Sequence, residues 1–202
     1  MKTLEEPMIK KETPTDYEIH PLIKQRWSPR AFSENPISEK ELKQLFEAGR
    51  WAASSNNFQP WRIIYGIKGT DVYNRIFKCL DEFNQGWNKT TQVLLLGAFK
   101  KTNKKGKENF HALHDLGQFM ANLSIQAQSM GIAIHQMAGV DFKMAIKEFE
   151  FPEDYHVATA VAIGYYGGDI ETLPEDLQEK ELQKERKRKP QEEFIFNGNF
   201  KE

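Results

Sequence analysis

An α+β fold with helices packed against a sheet is the fold class that this sequence predicts. Four short apolar runs, rich in β-branched or aromatic residues, are typical of strands and cover residues 61–65, 92–99, 132–137 and 157–165. Segments with helical periodicity separate these runs, and such alternation favours helices layered on a sheet. The chain has 202 residues, enough for one domain with a substantial core.

Helices are predicted between the strands from apolar spacing and capping residues. Ser38 and Glu41 form a capping-box pattern, and the apolar residues that follow fall on one helical face. Asp141 is a typical N-cap for a later helix. The predicted helical segments are residues 17–25, 38–53, 71–80, 110–130, 141–149 and 173–186.

Charge and cysteine content exclude several classes of protein. Lys and Arg number 28 against 29 Asp and Glu, so no overall field attracts nucleic acid or an anionic membrane. The single cysteine, Cys79, cannot form an intrachain disulfide or a thiolate metal cage, and we expect a small buried apolar residue there. Any electron transfer would therefore need a bound cofactor.

Localisation and metal binding are predicted from what the sequence does not contain. No segment has the length and hydropathy of a membrane span, and residues 1–24 lack the apolar core of a secretory signal, which predicts a cytoplasmic protein. His111 and His114 have a spacing that could begin a metal site. No third ligand follows at a typical spacing, so no metal is predicted.

The two ends of the chain differ from its middle. Residues 1–15 are polar and contain two prolines, which predicts a loose or weakly docked arm before a single domain at residues 16–202. Residues 190–202 form a predicted C-terminal arm. Its large apolar side chains must be buried, either by a partner chain or by the protein's own core: Phe194, Ile195, Phe196 and Phe200.

The segment Arg26-Trp27-Ser28-Pro29-Arg30 places two arginines and a serine within five residues. Guanidinium groups bind pairs of phosphate oxygens, and a hydroxyl adds a neutral donor, so the segment suits a dianionic phosphate. The alternative is that these arginines form surface ion pairs, worth about 1 kcal/mol or less each.

A second polar segment, Ser54-Ser55-Asn56-Asn57-Phe58-Gln59, precedes Pro60-Trp61. Amide side chains both donate and accept hydrogen bonds, so they can recognise the edge of a flat heterocycle. A phosphate-type segment and a ring-edge segment together predict a nucleotide-like cofactor. Neither a GxGxxG pattern nor a Walker-type loop is present to bind it.

These segments, Arg-Trp-Ser-x-Arg-x-Phe and Ser-Ser-x-Asn-x-Gln-Pro-Trp, resemble the FMN-dependent nitroreductase family. Later segments agree in order across residues 21–199: Asn84-x-x-Trp87, Asp115-Leu116-Gly117, the strand at 160–166 and the basic run at 186–190. The resemblance implies a three-layer α+β sandwich with a mixed sheet flanked by helices. It also implies an intertwined homodimer in which C-terminal arms wrap the partner subunit.

The resemblance further implies the residues that bind FMN. The phosphate and ribityl contacts match Arg26, Trp27, Ser28, Arg30, Arg186 and Arg188, with the register of the last two uncertain. The loop that reaches a flavin across the dimer interface matches Ser54, Ser55, Asn57 and Gln59. The flavin ring contacts match Asn84, Met137, Ala138, Gly139 and Gly164.

The implied activity is hydride transfer from NAD(P)H through bound FMN to nitroaromatics, quinones or similar acceptors by a ping-pong mechanism. No catalytic side chain is certain, since the flavin N5 neighbours would be backbone N–H groups at Ala138 and Gly139. The alternatives are a dehalogenase, flavin destructase or azoline oxidase of the same fold, or a flavin-binding protein without turnover. The physiological acceptor, the preferred nicotinamide and the roles of Trp87, His114 and His135 stay open.

Overall fold

The computed structural model describes residues 9–200, which form seven α-helices, four strands and three short 3-10 turns. The helices are α1 (Pro21–Gln25), α2 (Glu39–Arg50), α3 (Asp71–Lys78), α4 (Glu82–Trp87), α5 (Ala112–Ser129), α6 (Phe142–Glu148) and α7 (Glu175–Leu182). The strands are β1 (Trp61–Ile67), β2 (Val93–Lys100), β3 (Ile132–Met137) and β4 (Tyr155–Tyr165). The 3-10 turns are Ser55–Asn57, Ile170–Thr172 and Gln191–Glu193.

The four strands form one sheet in the order β1-β2-β4-β3, and every neighbouring pair is antiparallel. The prediction of a mixed sheet is therefore wrong for the described strands. The reason is the position of β4, which pairs antiparallel with β2 on one side and with β3 on the other. The two strands that α5 connects therefore share a direction without being neighbours.

Helices cover both faces of the sheet, which confirms the three-layer α+β architecture. One face packs against α2 and α5 through a cluster that includes Leu45, Leu95 and Leu123. The other face packs against α3, α4, α6 and α7 through a cluster that includes Ile76, Leu96 and Leu177. Alternate side chains of each strand pack into the clusters on opposite faces of the sheet, as the two-residue period of a strand requires.

Several element ends differ from the sequence-based prediction. Helix α1 begins at Pro21 rather than residue 17, because proline is favoured in the first helical turn and the His20 side chain caps it. Helix α7 covers only Glu175–Leu182, and α4 was not predicted. The capping box of Ser38 and Glu41 is confirmed, as is the N-cap at Asp141.

Strand β1 continues through Gly66, where the sequence suggested that it would end. A Cβ atom on Gly66 would lie 2.2 Å from the backbone nitrogen of Tyr73. Gly66 therefore does not end the strand. Its missing side chain allows α3 to pack closely against β1. The residues between α3 and α5 include α4 and the central strand β2.

The two ends of the described chain behave differently. Near the N-terminus, Ile9 packs against the core, and Glu12 N–H donates to Lys184 O in the chain after α7. Residues 1–8 of the predicted arm at 1–15 lie outside the described residues. At the other end, Phe194, Ile195 and Phe200 stay 57%, 58% and 77% exposed. Within residues 9–200, no helix has the length and hydropathy needed to cross a membrane.

Candidate cofactor-binding site

A cavity of about 310 Å³ lies where the N-terminal segment, the Arg26–Arg30 loop and the chain after α7 meet. Two acidic side chains line it, Glu181 and Glu185, against six basic ones: Lys11, Arg26, Arg30, Lys180, Arg186 and Arg188. The predicted arginines are therefore brought together although about 160 residues separate them in sequence. This excess of positive charge suits an anion.

Three side chains hold carbonyl groups of the Arg26–Arg30 loop. The Tyr166 hydroxyl donates to Trp27 O at 3.2 Å, and His135 Nδ1 donates to Pro29 O at 2.9 Å. The third is Arg186, which donates to Arg26 O at 2.6 Å. These bonds come from the end of β4, from β3 and from the chain after α7, so tertiary contacts fix the loop's backbone.

Glu181 holds the end of the same loop and was not predicted as a site residue. Its Oε1 accepts the backbone N–H of Arg30 at 2.9 Å and that of Ala31 at 3.2 Å. Burial raises the pKa of this carboxyl, while the two N–H donors and the nearby Lys11 and Arg30 charges oppose the rise. No sequence signal distinguishes Glu181 from the other acidic residues of α7.

The side chains of the loop face the cavity. Arg26 Nη1 donates to Ser28 Oγ at 3.3 Å, and the Arg30 guanidinium lies over the Trp87 ring at 5.9 Å. Arg30 Nε is buried without a hydrogen-bond partner among the described residues. A buried donor left unpaired costs about 1–3 kcal/mol, so this atom favours an acceptor that the chain itself does not supply.

Arg186 and Arg188 differ in how far their guanidinium groups are already engaged in hydrogen bonds within the chain. The Arg186 guanidinium donates to Glu12 O, Lys24 O and Arg26 O at 3.2, 2.7 and 2.6 Å. It therefore fastens three chain segments together, whereas the sequence reading assigned it to phosphate. Arg188 donates to the adjacent Lys187 O, and its exposed side chain lies at the cavity.

His135 and Trp87 pack against each other next to Arg30, whose guanidinium lies over the Trp87 ring. Their rings are 4.7 Å apart, and Trp87 is only 1% exposed, which favours structural packing over direct flavin contact. Burial, reinforced by the positive charges of Arg30 and Arg26, lowers the pKa of His135 to about 4. His135 is therefore neutral at pH 7 and serves as a hydrogen-bond donor to the loop.

Asn84 and Gly139 are brought together, as expected for residues that share a site. Asn84 Nδ2 donates to Gly139 O at 3.1 Å, and Asn84 Oδ1 accepts from Trp87 Nε1 at 3.0 Å. A Cβ on Gly139 would lie 2.0 Å from Asp81 Oδ2, so only glycine fits against the start of α4. The Asn84 amide is thus largely engaged within the protein.

Backbone hydrogen bonds fix the loop after β3. Gly139 O also accepts from Asp81 N–H, and the N–H groups of Val140 and Asp141 donate to Ala138 O and Cys79 O. Met137 is buried, and its sulfur contacts the amide of Asn88 at 3.2 Å. The geometry therefore positions the backbone at Ala138 and Gly139 beside Asn84, where the resemblance placed a flavin.

Gly164 has a packing role in this chain. A Cβ on Gly164 would lie 2.7 Å from Cδ1 of the fully buried Phe32 ring. The close approach that this glycine allows is thus taken by a core aromatic residue, and direct ligand contact at Gly164 stays a prediction.

The Ser54–Gln59 loop has an unusual backbone. Asn56, Asn57 and Gln59 have φ angles of 48°, 53° and 48°, in the left-handed region, which costs a non-glycine residue roughly 1 kcal/mol. One buried carboxylate holds the loop: Asp115 Oδ2 accepts Ser55 N–H at 3.1 Å. Strained backbone of this kind is concentrated at functional sites.

The two predicted halves of the site lie at opposite edges of the sheet. The Ser54–Gln59 loop leads into edge strand β1, whereas the Arg26–Arg30 loop is fastened to edge strand β3 through His135. Three strand spacings, roughly 14 Å, separate these edges. One copy of the chain therefore does not bring the two sets of residues together.

The remaining candidates, His111, His114 and Cys79, contact other residues of the chain. His114 Nδ1 lies 3.4 Å from Asp115 Oδ1, and the His111 and His114 rings meet edge to face at 6.0 Å. Among the described residues, no group of three or more His, Cys, Asp or Glu could hold a metal ion. Cys79 is fully buried, and burial raises its pKa, so the prediction of an apolar role is confirmed.

Comparison with known proteins identifies this architecture. The model of the nitroreductase family matches residues 23–78. A crystal structure described as an oxidoreductase containing FMN superimposes with a TM-score of 0.86, is 32% identical, and is matched over 93% of this chain and 96% of its own.

Named relatives add to this match. A Streptomyces coelicolor protein with the provisional name NADH dehydrogenase/NAD(P)H nitroreductase is 23% identical over 68% of this chain and 78% of its own length. Nitrobenzene nitroreductase of Ectopseudomonas oleovorans is 41% identical over 28% of this chain and 24% of its own.

Proposed function

Because the chain belongs to the nitroreductase family, we propose that it is an oxidoreductase that binds FMN and transfers hydride from NAD(P)H to a small electron-poor acceptor. Nitroaromatics and quinones are the proposed acceptor classes, and reductant and acceptor would use one cleft in turn, by ping-pong kinetics. FMN supplies the hydride-transfer chemistry when bound, and the chain supplies position and electrostatics.

One observation carries the cofactor assignment. Arg30, whose buried Nε lacks a partner among the described residues, lines a cavity that also carries five further cationic and two acidic side chains. A dianionic phosphate fits this donor set, because guanidinium groups form strong charge-assisted hydrogen bonds with phosphate oxygens. Arg26, Ser28, Arg30 and Arg188 would hold the phosphate, while Arg186 holds the loop that presents them.

The ring end would be held by backbone and amide groups. The loop at Ala138 and Gly139 lies beside Asn84, and its N–H groups are the proposed donors toward the reactive edge of the cofactor. Their role would be to orient the ring and to stabilise charge that develops on it, since preformed donors need no reorganisation during the reaction. No side chain is assigned to a proton transfer.

A homodimer would complete the site. The two halves of the site lie at opposite edges of the sheet, so Ser54, Ser55, Asn57 and Gln59 would reach the cavity of a second copy. Phe194, Ile195 and Phe200 are more than half exposed in one copy, which supports a C-terminal arm that packs on a partner. The cytoplasmic location and the arm boundaries at residues 15 and 190 remain predictions.

The absorption spectrum of the purified protein, before and after heat release of its chromophore, tests the cofactor. We expect a flavin band that elutes as FMN, and NAD(P)H oxidation that depends on added quinone. A protein that neither contains nor takes up FMN would exclude the proposal. Bound FMN without turnover would instead favour a flavin-binding protein.

Two arginine variants locate the site. Arg30→Ala should weaken FMN binding about tenfold or more, since it removes a buried charge-assisted donor. Arg50→Ala is the matched control, because Arg50 forms an exposed ion pair with Glu47 on α2 away from the cavity. Equal FMN affinities for the two variants would place the phosphate elsewhere.

A further inference from the structure

The described part of the N-terminal arm lies beside the cationic cavity and contributes Lys11 to its lining. Glu12 N–H donates to Lys184 O at 2.9 Å, Arg186 Nε donates to Glu12 O at 3.2 Å, and Thr13 Oγ1 donates to Lys24 O at 2.7 Å. Ile9 packs against the core cluster that contains Trp27. Residues 9–13 are thus fastened both to the chain after α7 and to the segment that leads into the Arg26–Arg30 loop.

Lys11 brings a cation from this segment into the cavity. Its ammonium group donates to the backbone carbonyls of Glu181 and Gln183 and lies 4.4 Å from the centre of the Trp27 ring. An ammonium group has three donors, so two carbonyl acceptors leave one donor for a ligand. Lys11 lines the same cavity as Arg26 and Arg30.

The charged form of Lys11 is destabilised by its surroundings when no anion is bound. Burial lowers the pKa of Lys11, the nearby Arg186 charge lowers it further, and Glu181 opposes both effects. An anion in the cavity would remove the repulsion among these cations and strengthen the docking of the segment. By linkage, docking of the segment would strengthen anion binding by the same factor.

We propose that Lys11 is a phosphate-binding residue and that residues 9–13 form a clasp that closes on the phosphate group of the cofactor. This inference rests on the proposed function, because it takes the occupant of the cavity to be the phosphate of FMN. It adds the N-terminal arm, which the sequence predicts to be loose or weakly docked, to the binding machinery.

Affinities for FMN and for riboflavin, which has the same ring but no phosphate, test the clasp. We expect Lys11→Met to bind FMN about tenfold more weakly, since one charge-assisted contact is lost, and to bind riboflavin as the unmodified protein does. Lys11→Arg should restore most of the FMN affinity because it keeps the charge. Lys10→Met is the matched control, since Lys10 is the exposed neighbour outside the cavity lining.

The outcomes separate this inference from the proposed function. If the unmodified protein binds FMN and riboflavin equally, the phosphate site itself is wrong. If it prefers FMN and Lys11→Met keeps the same preference, the clasp alone is excluded. A Lys11→Met variant that loses FMN and riboflavin affinity by equal factors would show a merely structural role and would also exclude the clasp.

Discussion

The Arg26–Arg30 loop and the Ser54–Gln59 loop carry the two predicted halves of one site, yet the chain treats them differently. Four side chains from separate elements hold the backbone of the first loop and its end: Arg186, Tyr166, His135 and Glu181. Buried Asp115 holds the second loop, in which three residues have left-handed backbone.

This difference indicates which half is complete within one chain. The first loop is preorganised by its own protein, so its cationic side chains are positioned before any ligand arrives. The second loop is strained and exposed, which is expected of a segment that completes its contacts against another molecule. Four changes test this contrast, from the largest expected effect to the smallest.

The C-terminal arm should affect association and leave the first loop unchanged. Phe194→Ser with Phe200→Ser removes two exposed aromatic side chains, each worth about 2 kcal/mol if a partner buries it. We expect the dissociation constant of the proposed dimer to rise about a thousandfold, as measured by sedimentation-equilibrium analytical ultracentrifugation. A protein that is monomeric before the change would contradict the dimer.

Glu181→Ala should be the most damaging single change to the first loop. It leaves the N–H groups of Arg30 and Ala31 unpaired in a buried position, so the free energy of unfolding should fall by about 4 kcal/mol. Asp115→Ala frees one such N–H in the second loop and should cost about half as much. Urea denaturation measures both, and equal losses would argue against the difference in preorganisation.

Acidification should loosen the first loop through His135. Its folded pKa is about 4 against an ordinary value of 6.5, so the unfolded chain binds the proton more tightly. The stabilisation is fully present above pH 6.5 and is lost as the pH falls toward 4, by about 3 kcal/mol in all. Unfolding curves across this window measure the loss.

A His135→Gln variant is the control for the pH effect. Glutamine can still donate to Pro29 O but does not titrate, so it should flatten the pH dependence of stability between pH 6.5 and 4. If the slope persists in the variant, another group is responsible for it.

The smallest expected effect concerns backbone strain in the second loop. Asn56→Ala places a side chain that disfavours left-handed backbone at φ 48° and should lower the free energy of unfolding by about 1 kcal/mol. Asn56→Gly should leave it nearly unchanged, because asparagine already tolerates this region. Thermal unfolding distinguishes the two variants, and equal midpoints would show that the loop's backbone is not restrained.

Much of the architecture could be predicted because its signals are local. The apolar run of β3 matches the observed strand Ile132–Met137, and the capping box at Ser38 and Glu41 begins α2 as expected. Helix α4 escaped prediction because six residues with the sequence EFNQGW show no clear periodicity. The antiparallel sheet depends on where β4 inserts, which no local pattern encodes.

The residues of the candidate site likewise divide into those that local sequence could indicate and those that it could not. Arg26, Ser28 and Arg30 could be proposed from their chemistry and spacing, and the structure places them at one cavity with Arg188. Glu181 and Lys11 could not be proposed, since an acidic residue on a charged helix and a lysine in a polar arm have no distinguishing neighbours in sequence. Arg186 was assigned to phosphate, but its contacts are with backbone carbonyls.

The sequence by itself determined the α+β class, most strands and helices, and the residue types suited to a phosphate-bearing cofactor. Periodicity, capping and side-chain chemistry act within a few residues, so these properties are readable along the chain. Only the tertiary structure decided which charges share a cavity and which half of the site lies at the far edge of the sheet. Those outcomes depend on long-range contacts, such as that between Glu181 and Arg30, which join residues that sequence spacing leaves unrelated.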